Sequence, residues 1–151
     1  MIDLSLNERI HRPLWQVFGF VSTPENDFQW QYGTLGSVQI SKGGMGVGTI
    51  FRTTGHFMGR RIESTYEVTE FEPYRQYGFK SLSGPMQSHT IFTFEMAEGI
   101  TKVHFAIQLN AGDLFQTEGG IVEKQARKES KENLALLKEI LEASQVERSS
   151  Q

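Results

Sequence analysis

Residues 101–109 read Thr101-Lys102-Val103-His104-Phe105-Ala106-Ile107-Gln108-Leu109. Val103, Phe105, Ile107 and Leu109 share one parity, while Lys102, His104 and Gln108 share the other. Successive side chains of a strand point to opposite faces, so this is a strand with one oily and one wet face. The same alternation runs upstream. Phe92, Phe94 and Met96 align, Tyr77 aligns with Phe79, and Ile62, Tyr66 and Val68 alternate with Glu63, Thr65, Glu67 and Thr69. A sheet of such strands carries a broad apolar face that needs a cover.

The cover is predicted downstream. Phe115, Gly119, Val122, Ala126, Leu134, Leu137 and Leu141 recur at helical spacing, with Lys, Arg and Glu between them. Asp113 with Gln116 three residues on resembles a capping box. A helix over 113–144 would run about 48 Å at ~1.5 Å per residue, enough to cross the sheet. Gly119-Gly120 predicts a kink or a late start, since an interior glycine costs about 1 kcal/mol. Two adjacent glycines also leave room for a ligand. Residues 145–151 are expected to fray.

Toward the N-terminus, Gly, Pro and Asn divide the chain into strands near 32–41, 47–58, 60–71, 75–82, 87–97 and 101–109. Short connections favour an antiparallel meander. The glycines at 43–48 have neither the Lys-Ser/Thr ending of a phosphate loop nor the spacing and following helix of a dinucleotide turn. They read as a hairpin turn with tight strand packing. Ile2, Leu4 and Leu6 alternate with Asp3, Ser5 and Asn7, giving a further strand over 2–10. Pro13 opens a short helix over 13–21, and Thr23, as N-cap, with Pro24 opens another that ends near Trp30. The expectation is an α+β fold: about seven antiparallel strands in a curved sheet around a long C-terminal helix, with two short helices after the first strand. The whole chain, 1–151, is expected to form one domain.

Composition narrows the function. The chain has 151 residues, enough to bury a sizeable core. Its net charge of −3 argues against a dedicated nucleic-acid binder. It has no cysteine, so disulfides and thiolate metal sites are excluded. No apolar run reaches the roughly 20 residues that span a bilayer. Met1-Ile2-Asp3-Leu4-Ser5 lacks the profile of a secretory leader, and a cytoplasmic location is expected.

Several stretches together carry a resemblance. They are Ile10-His11-Arg12-Pro13 with Val17-Phe18, Pro24-Glu25-Asn26 with Trp30, and Gly46-Val47-Gly48-Thr49. Tyr66-Glu67-Val68-Thr69-Glu70-Phe71-Glu72-Pro73 and Glu132-Asn133-Leu134 with Leu137-Lys138 and Leu141-Glu142 complete the set. In this order, over nearly the whole chain, they resemble the START-like (SRPBCC) helix-grip superfamily, and within it the bacterial polyketide cyclase/dehydrase-like group. The resemblance implies a cavity between sheet and helix. Similar proteins bind or carry lipids, steroids, quinones and polyketides, and only some of them catalyse, so fold analogy does not set the function.

The candidate ligand-binding residues are Trp30, Phe51, Thr53, Phe57, Tyr66, Tyr77, Phe79, Phe92, Phe94, Phe105, Phe115, Gly119 and Val122. The aromatic members either line a pocket or fill a plain core, and the sequence leaves both readings open. His11, His56, His89 and His104 are scattered without metal-ligand spacing, so no metal and no cofactor is expected. Acid or base candidates inside a cavity are His56, His89, Tyr66 and Glu70. Lys124, Arg127, Lys128 and Lys131, interleaved with Glu123, Glu129 and Glu132, read as a solvated face. Three functions stay in play: a binder or carrier of a small hydrophobic molecule, a cyclase-, dehydratase- or hydrolase-type enzyme on such a substrate, and a protein-interaction module. No stable membrane insertion is expected, and a homodimer is left open.

Overall fold

The computed structural model describes residues 1–112 and 119–149, and the side chains of 1–112 and 120–143. The strands are β1 (Ile2–Ile10), β2 (Thr34–Gln39), β3 (Ile50–Phe57), β4 (Arg60–Glu72), β5 (Gln76–Ser83), β6 (Gln87–Ala97) and β7 (Ile100–Asn110). They form one antiparallel sheet in the order β1-β7-β6-β5-β4-β3-β2. The last six follow a meander, as their short turns require. β1 returns to pair with β7, Leu4 opposite Ile107 and Leu6 opposite Phe105. The parity of residues 101–109 holds: Val103 and Leu109 are buried, and Lys102 and Gln108 are exposed.

Register shifts fall between Thr65 and Tyr66 and between Val68 and Glu70 on β4, and between Thr34 and Gly36 on β2. A bulge bends its strand and deepens its twist, so β4 can curve around the cover. The helices are α1 (Leu14–Val21), α2 (Asp27–Trp30, entered through a 3-10 turn at Pro24–Asn26) and α3 (Gly119–Ser149). This is the helix-grip arrangement. α3 packs Val122, Leu134, Leu137 and Leu141 inward, all buried. One core joins Leu134, Leu137 and Leu141 to Val17, Phe18, Phe51, Val68, Tyr77, Phe92 and Val103. A second, at the other end of the sheet, joins Val122 to Ile2, Leu4 and Leu109.

Arg12 fastens α3 at its far end. Its guanidinium donates to the carbonyls of Leu141, at 3.0 Å, and Glu142. The Arg12 carbonyl accepts from Thr101 Oγ1 at 2.7 Å. One residue thus ties β7, the corner after β1 and α3 together.

The described part of α3 runs from Gly119 to Ser149, so the glycine pair stands at the beginning of that span, and the capping box at Asp113–Gln116 lies outside the described residues. Two expectations need correction. Thr23 makes no side-chain cap; its hydroxyl donates back to Gly19 O at 2.8 Å and so closes α1. The turn at 43–48 is real, with Gly43 and Gly48 at positive φ, and Gly48 N donates to Val68 O of β4 at 2.9 Å, but close packing does not require its glycines: a Cβ at Gly43, Gly44, Gly46 or Gly48 would meet nothing within 4 Å. Close approaches occur elsewhere, at Gly33, Gly55, Gly78, Gly84 and Gly112.

Candidate functional site

α3 changes character along its inner stripe. Val122 and Leu134 are large and apolar, but between them the positions facing the sheet hold Ala126, Ser130 and Asn133. Small and polar residues opposite an aromatic sheet leave the interface unfilled. Two adjoining chambers occupy the gap. The outer one, about 210 Å³, is walled by Thr53, Phe57 and Ile62 on the sheet and by Ala126 and Glu129 on α3. The inner one, about 190 Å³, is walled by Trp30, Phe79, Phe92, Phe105 and Leu134. Tyr66, Gln31, Ser88, Ile107, Ser130 and Asn133 border both. Together the chambers reach the size range of small-molecule sites.

The walls are held by ring-to-ring packing. Tyr66 and Phe51 stack with centroids 5.3 Å apart, and Phe79 meets Tyr66 edge-on at the same distance. Phe92 contacts Phe105 at 5.2 Å and Trp30 at 6.0 Å. Such pairs fix ring orientation as well as burying area, so these walls are set in place by packing.

Polar groups dot this apolar box. Burial lifts the Tyr66 phenol above its ordinary pKa, against opposing bonds from Ser64 and Ser88, so it is a neutral donor at physiological pH. Thr53 shares a 2.9 Å hydrogen bond with Ser37. The Asn133 carboxamide oxygen accepts from Tyr32 N at 2.7 Å, which anchors the turn after α2 to α3. Glu129 stands at the outer chamber, its Oε2 accepting from Gln125 at 3.2 Å. Partial burial raises its pKa, and Glu132 adds to this, while Gln125, His56 and Lys128 act the other way. Behind the wall, Asp27 is buried; desolvation holds its carboxyl well above the usual range, with a Ser37 bond opposing.

The sequence-predicted residues divide into groups. Trp30, Phe79, Phe92 and Phe105 line the inner chamber, Thr53 and Phe57 the outer, and Tyr66 both. Phe51, Tyr77 and Phe94 pack in the core behind the rings that line the chambers. Val122 belongs to the second core, Gly119 begins α3, and Phe115 lies outside the described residues. Of the acid or base candidates, His56 and Tyr66 border the outer chamber. His89 and Glu70 do not border either chamber; they pair with each other at 3.0 Å. Glu129, read in the sequence as part of a solvated face, turns toward the cavity instead. Gln31, Ser88, Thr90, Ile107, Ser130 and Asn133 were not anticipated. The signal for the α3 members was present: a break in the apolar stripe between Ala126 and Leu134. Among the described residues no group of three or more His, Asp or Glu could hold a metal ion. No described helix is long and apolar enough to cross a membrane.

Known proteins share this arrangement. The profile of the family described as polyketide cyclase / dehydrase and lipid transport matches residues 1–142. The chain belongs to this family. No curated protein matches it in sequence. Among solved structures, TTHA0849 from Thermus thermophilus superimposes with a TM-score of 0.81 at 16% identity, covering 94% of this chain and 98% of that one. A START superfamily protein from Mycobacterium smegmatis gives 0.79 at 17% identity, covering 93% and 97%. The Zhui aromatase/cyclase from Streptomyces sp. R1128 gives 0.78 at 13% identity, covering 93% of each chain. At these identities the likeness establishes the helix-grip fold, and the activities in the family's description, cyclase, dehydrase and lipid transport, frame the choice of function.

Proposed function

We propose that this chain binds a small, mostly apolar molecule between the sheet and α3 and acts as a binder or carrier. The observation that carries the reading is the pair of adjoining chambers, walled by Phe79, Phe92, Phe105 and Trp30 where α3 presents Ala126, Glu129, Ser130 and Asn133 before Leu134. Apolar walls with a few fixed polar groups suit a ligand that is flat and oily with sparse oxygens. Transfer of such a molecule from water is driven by the area it buries. The test is native mass spectrometry of protein purified without detergent, followed by organic extraction. The expected result is a discrete adduct that the extract identifies as a hydrophobic small molecule. Adduct-free protein whose melting temperature no apolar probe raises would contradict it.

A second reading has its own support. Glu129, with its raised pKa, and the neutral Tyr66 phenol border the same outer chamber as His56. A carboxyl with a raised pKa exchanges protons closer to neutrality, and a phenol can donate to a developing oxyanion. Such a pair suits cyclase or dehydratase chemistry, in which a proton leaves a carbon beside a carbonyl. Glu129→Gln separates the readings: a carrier keeps its ligand affinity, whereas an enzyme keeps affinity and loses turnover.

A further inference from the structure

β5 and β6 part before they end. Their pairing stops at Lys80 opposite His89. Beyond that rung β5 stays with β4 as far as Ser83, and β6 stays with β7 from Gln87. The Ser88 N–H goes to the side chain of Ser81, at 2.9 Å from its Oγ, where a continued ladder would use a backbone carbonyl. The hairpin tip is tied elsewhere. Gly84, at φ +130°, lies so close to β4 that a Cβ would come within 2.5 Å of Ser64 Oγ, and Pro85 O lies where a Cβ on Gly112 would collide with it. The last rung itself is held: His89 on β6 reaches over Gly78 of β5 to pair with Glu70 of β4 at 3.0 Å. The strands are therefore clamped up to His89 and splayed beyond it.

The splay lies against the outer chamber. On the outside a cleft of about 340 Å³ is bordered by Lys80, Ser81, Met86, Ser88, His89 and Gln108. Met86 and Ser88 border the outer chamber as well, so a single layer of side chains stands between cleft and chamber here. Methionine is unbranched and flexible, and it can swing aside without moving the backbone. The opposite flank of the chamber is braced by backbone: Tyr32 N is bonded to Asn133 of α3, and His56 N to Gly33 O.

We propose that the gap between β5 and β6 is a side door through the sheet, barred by the Ser81–Ser88 hydrogen bond and plugged by Met86, through which a small apolar molecule enters and leaves the outer chamber. The proposal rests on the binding function above and adds its route. Opening here breaks one bond to a side chain and no ladder pair, whereas parting neighbouring strands within a ladder would break several backbone bonds at once.

The chain has no cysteine, so Ser81→Cys with Ser88→Cys places a lone pair of thiols across the gap, at positions whose 2.9 Å contact brings them within reach of a disulfide. Fluorene, a flat tricyclic hydrocarbon, is the probe, and its own fluorescence reports binding by stopped flow. In the oxidised double variant, association and dissociation should both slow about tenfold relative to the reduced form, with Kd moved by less than about twofold, because a barred door changes the path and not the end states. Equal rates in the two forms overturn the door and leave the cavity reading standing. If the disulfide does not form, Met86→Ala decides. It should speed both rates about tenfold, while Met58→Ala, a cut of the same size against the same core but away from cleft and chambers, should leave them unchanged. No acceleration by Met86→Ala, or equal acceleration by both variants, overturns the door. Fluorene that binds neither the wild type nor any variant overturns the cavity reading and the door with it.

Discussion

The backbones of Gly33 and His56 run so close that a Cβ on Gly33 would lie 2.6 Å from the His56 carbonyl oxygen. The contact is cemented by His56 N donating to Gly33 O at 2.8 Å. The same Cβ would stand 3.3 Å from Glu129 Oε1, at the outer chamber. Gly33→Ala should therefore cost about 1–3 kcal/mol through forced backbone displacement, read from urea unfolding, and should weaken probe binding. Gly36→Ala is the control: nothing lies within 4 Å of its Cβ, and it should change stability by less than about 1 kcal/mol. Equal effects of the two would contradict this packing.

Leu137 and Leu136 are chain neighbours on opposite sides of the cover. Leu137 is fully buried against the sheet, whereas Leu136 is 36% exposed. Leu137→Ala should cost about 2–5 kcal/mol, the range for a leucine deleted from a packed core. Leu136→Ala should cost well under about 1 kcal/mol. Chemical denaturation of both variants checks which face α3 presents, and a reversed order would mean the helix lies the other way round.

Glu142 carries a pH signature. Burial alone would raise its pKa, but hydrogen bonds from His11 N, from Lys138 and from the His11 ring outweigh this and hold it down to about 2. A carboxylate lowered on folding stabilises the fold above its unfolded pKa, and the benefit disappears as pH falls through the folded value. Glu142→Gln should thus be less stable at pH 7 by about 1–2 kcal/mol, after allowance for its partial exposure. The gap should close between pH 4.5 and 2, where wild type loses the same advantage. A gap that stays constant over that window would remove the charge from the account.

For Glu129 the sign is opposite. Burial, the largest cause, raises its folded pKa. A carboxyl raised on folding weakens the fold when it is charged, and stability returns as pH falls through the folded value toward the unfolded one. Glu129→Gln should match or exceed the wild-type melting temperature at about pH 8, and the two curves should converge toward about pH 4. A variant less stable than wild type at the alkaline end would show that the charge is favourably paired.

Much of the fold was legible because strand parity and helix spacing are local. Ile62 through Val68 and Val103 through Leu109 declare their faces without knowledge of their neighbours, and the leucines at 134, 137 and 141 declare theirs. What stayed hidden depends on which element meets which. Glu129 looks like one of many charges on a helix until α3 is laid on the sheet and its turn is found beside Gly33 and His56. Phe51 and Phe79 both sit in alternating strands, yet one packs in the core and the other lines a chamber, a difference that depends on what each ring meets across the sheet. Thr23 carried a true helix-boundary signal, but its hydroxyl found the end of α1 before the start of the next turn.

The most direct test of the enclosed site is an isotope-filtered NOE measurement on the protein saturated with fluorene. Contacts from the probe to Phe92, Phe105 and Leu134, with none to the exposed Val38 or Leu82, are the predicted result. Contacts confined to exposed side chains, with the inner rings silent, would mean that α3 and the sheet enclose no usable site.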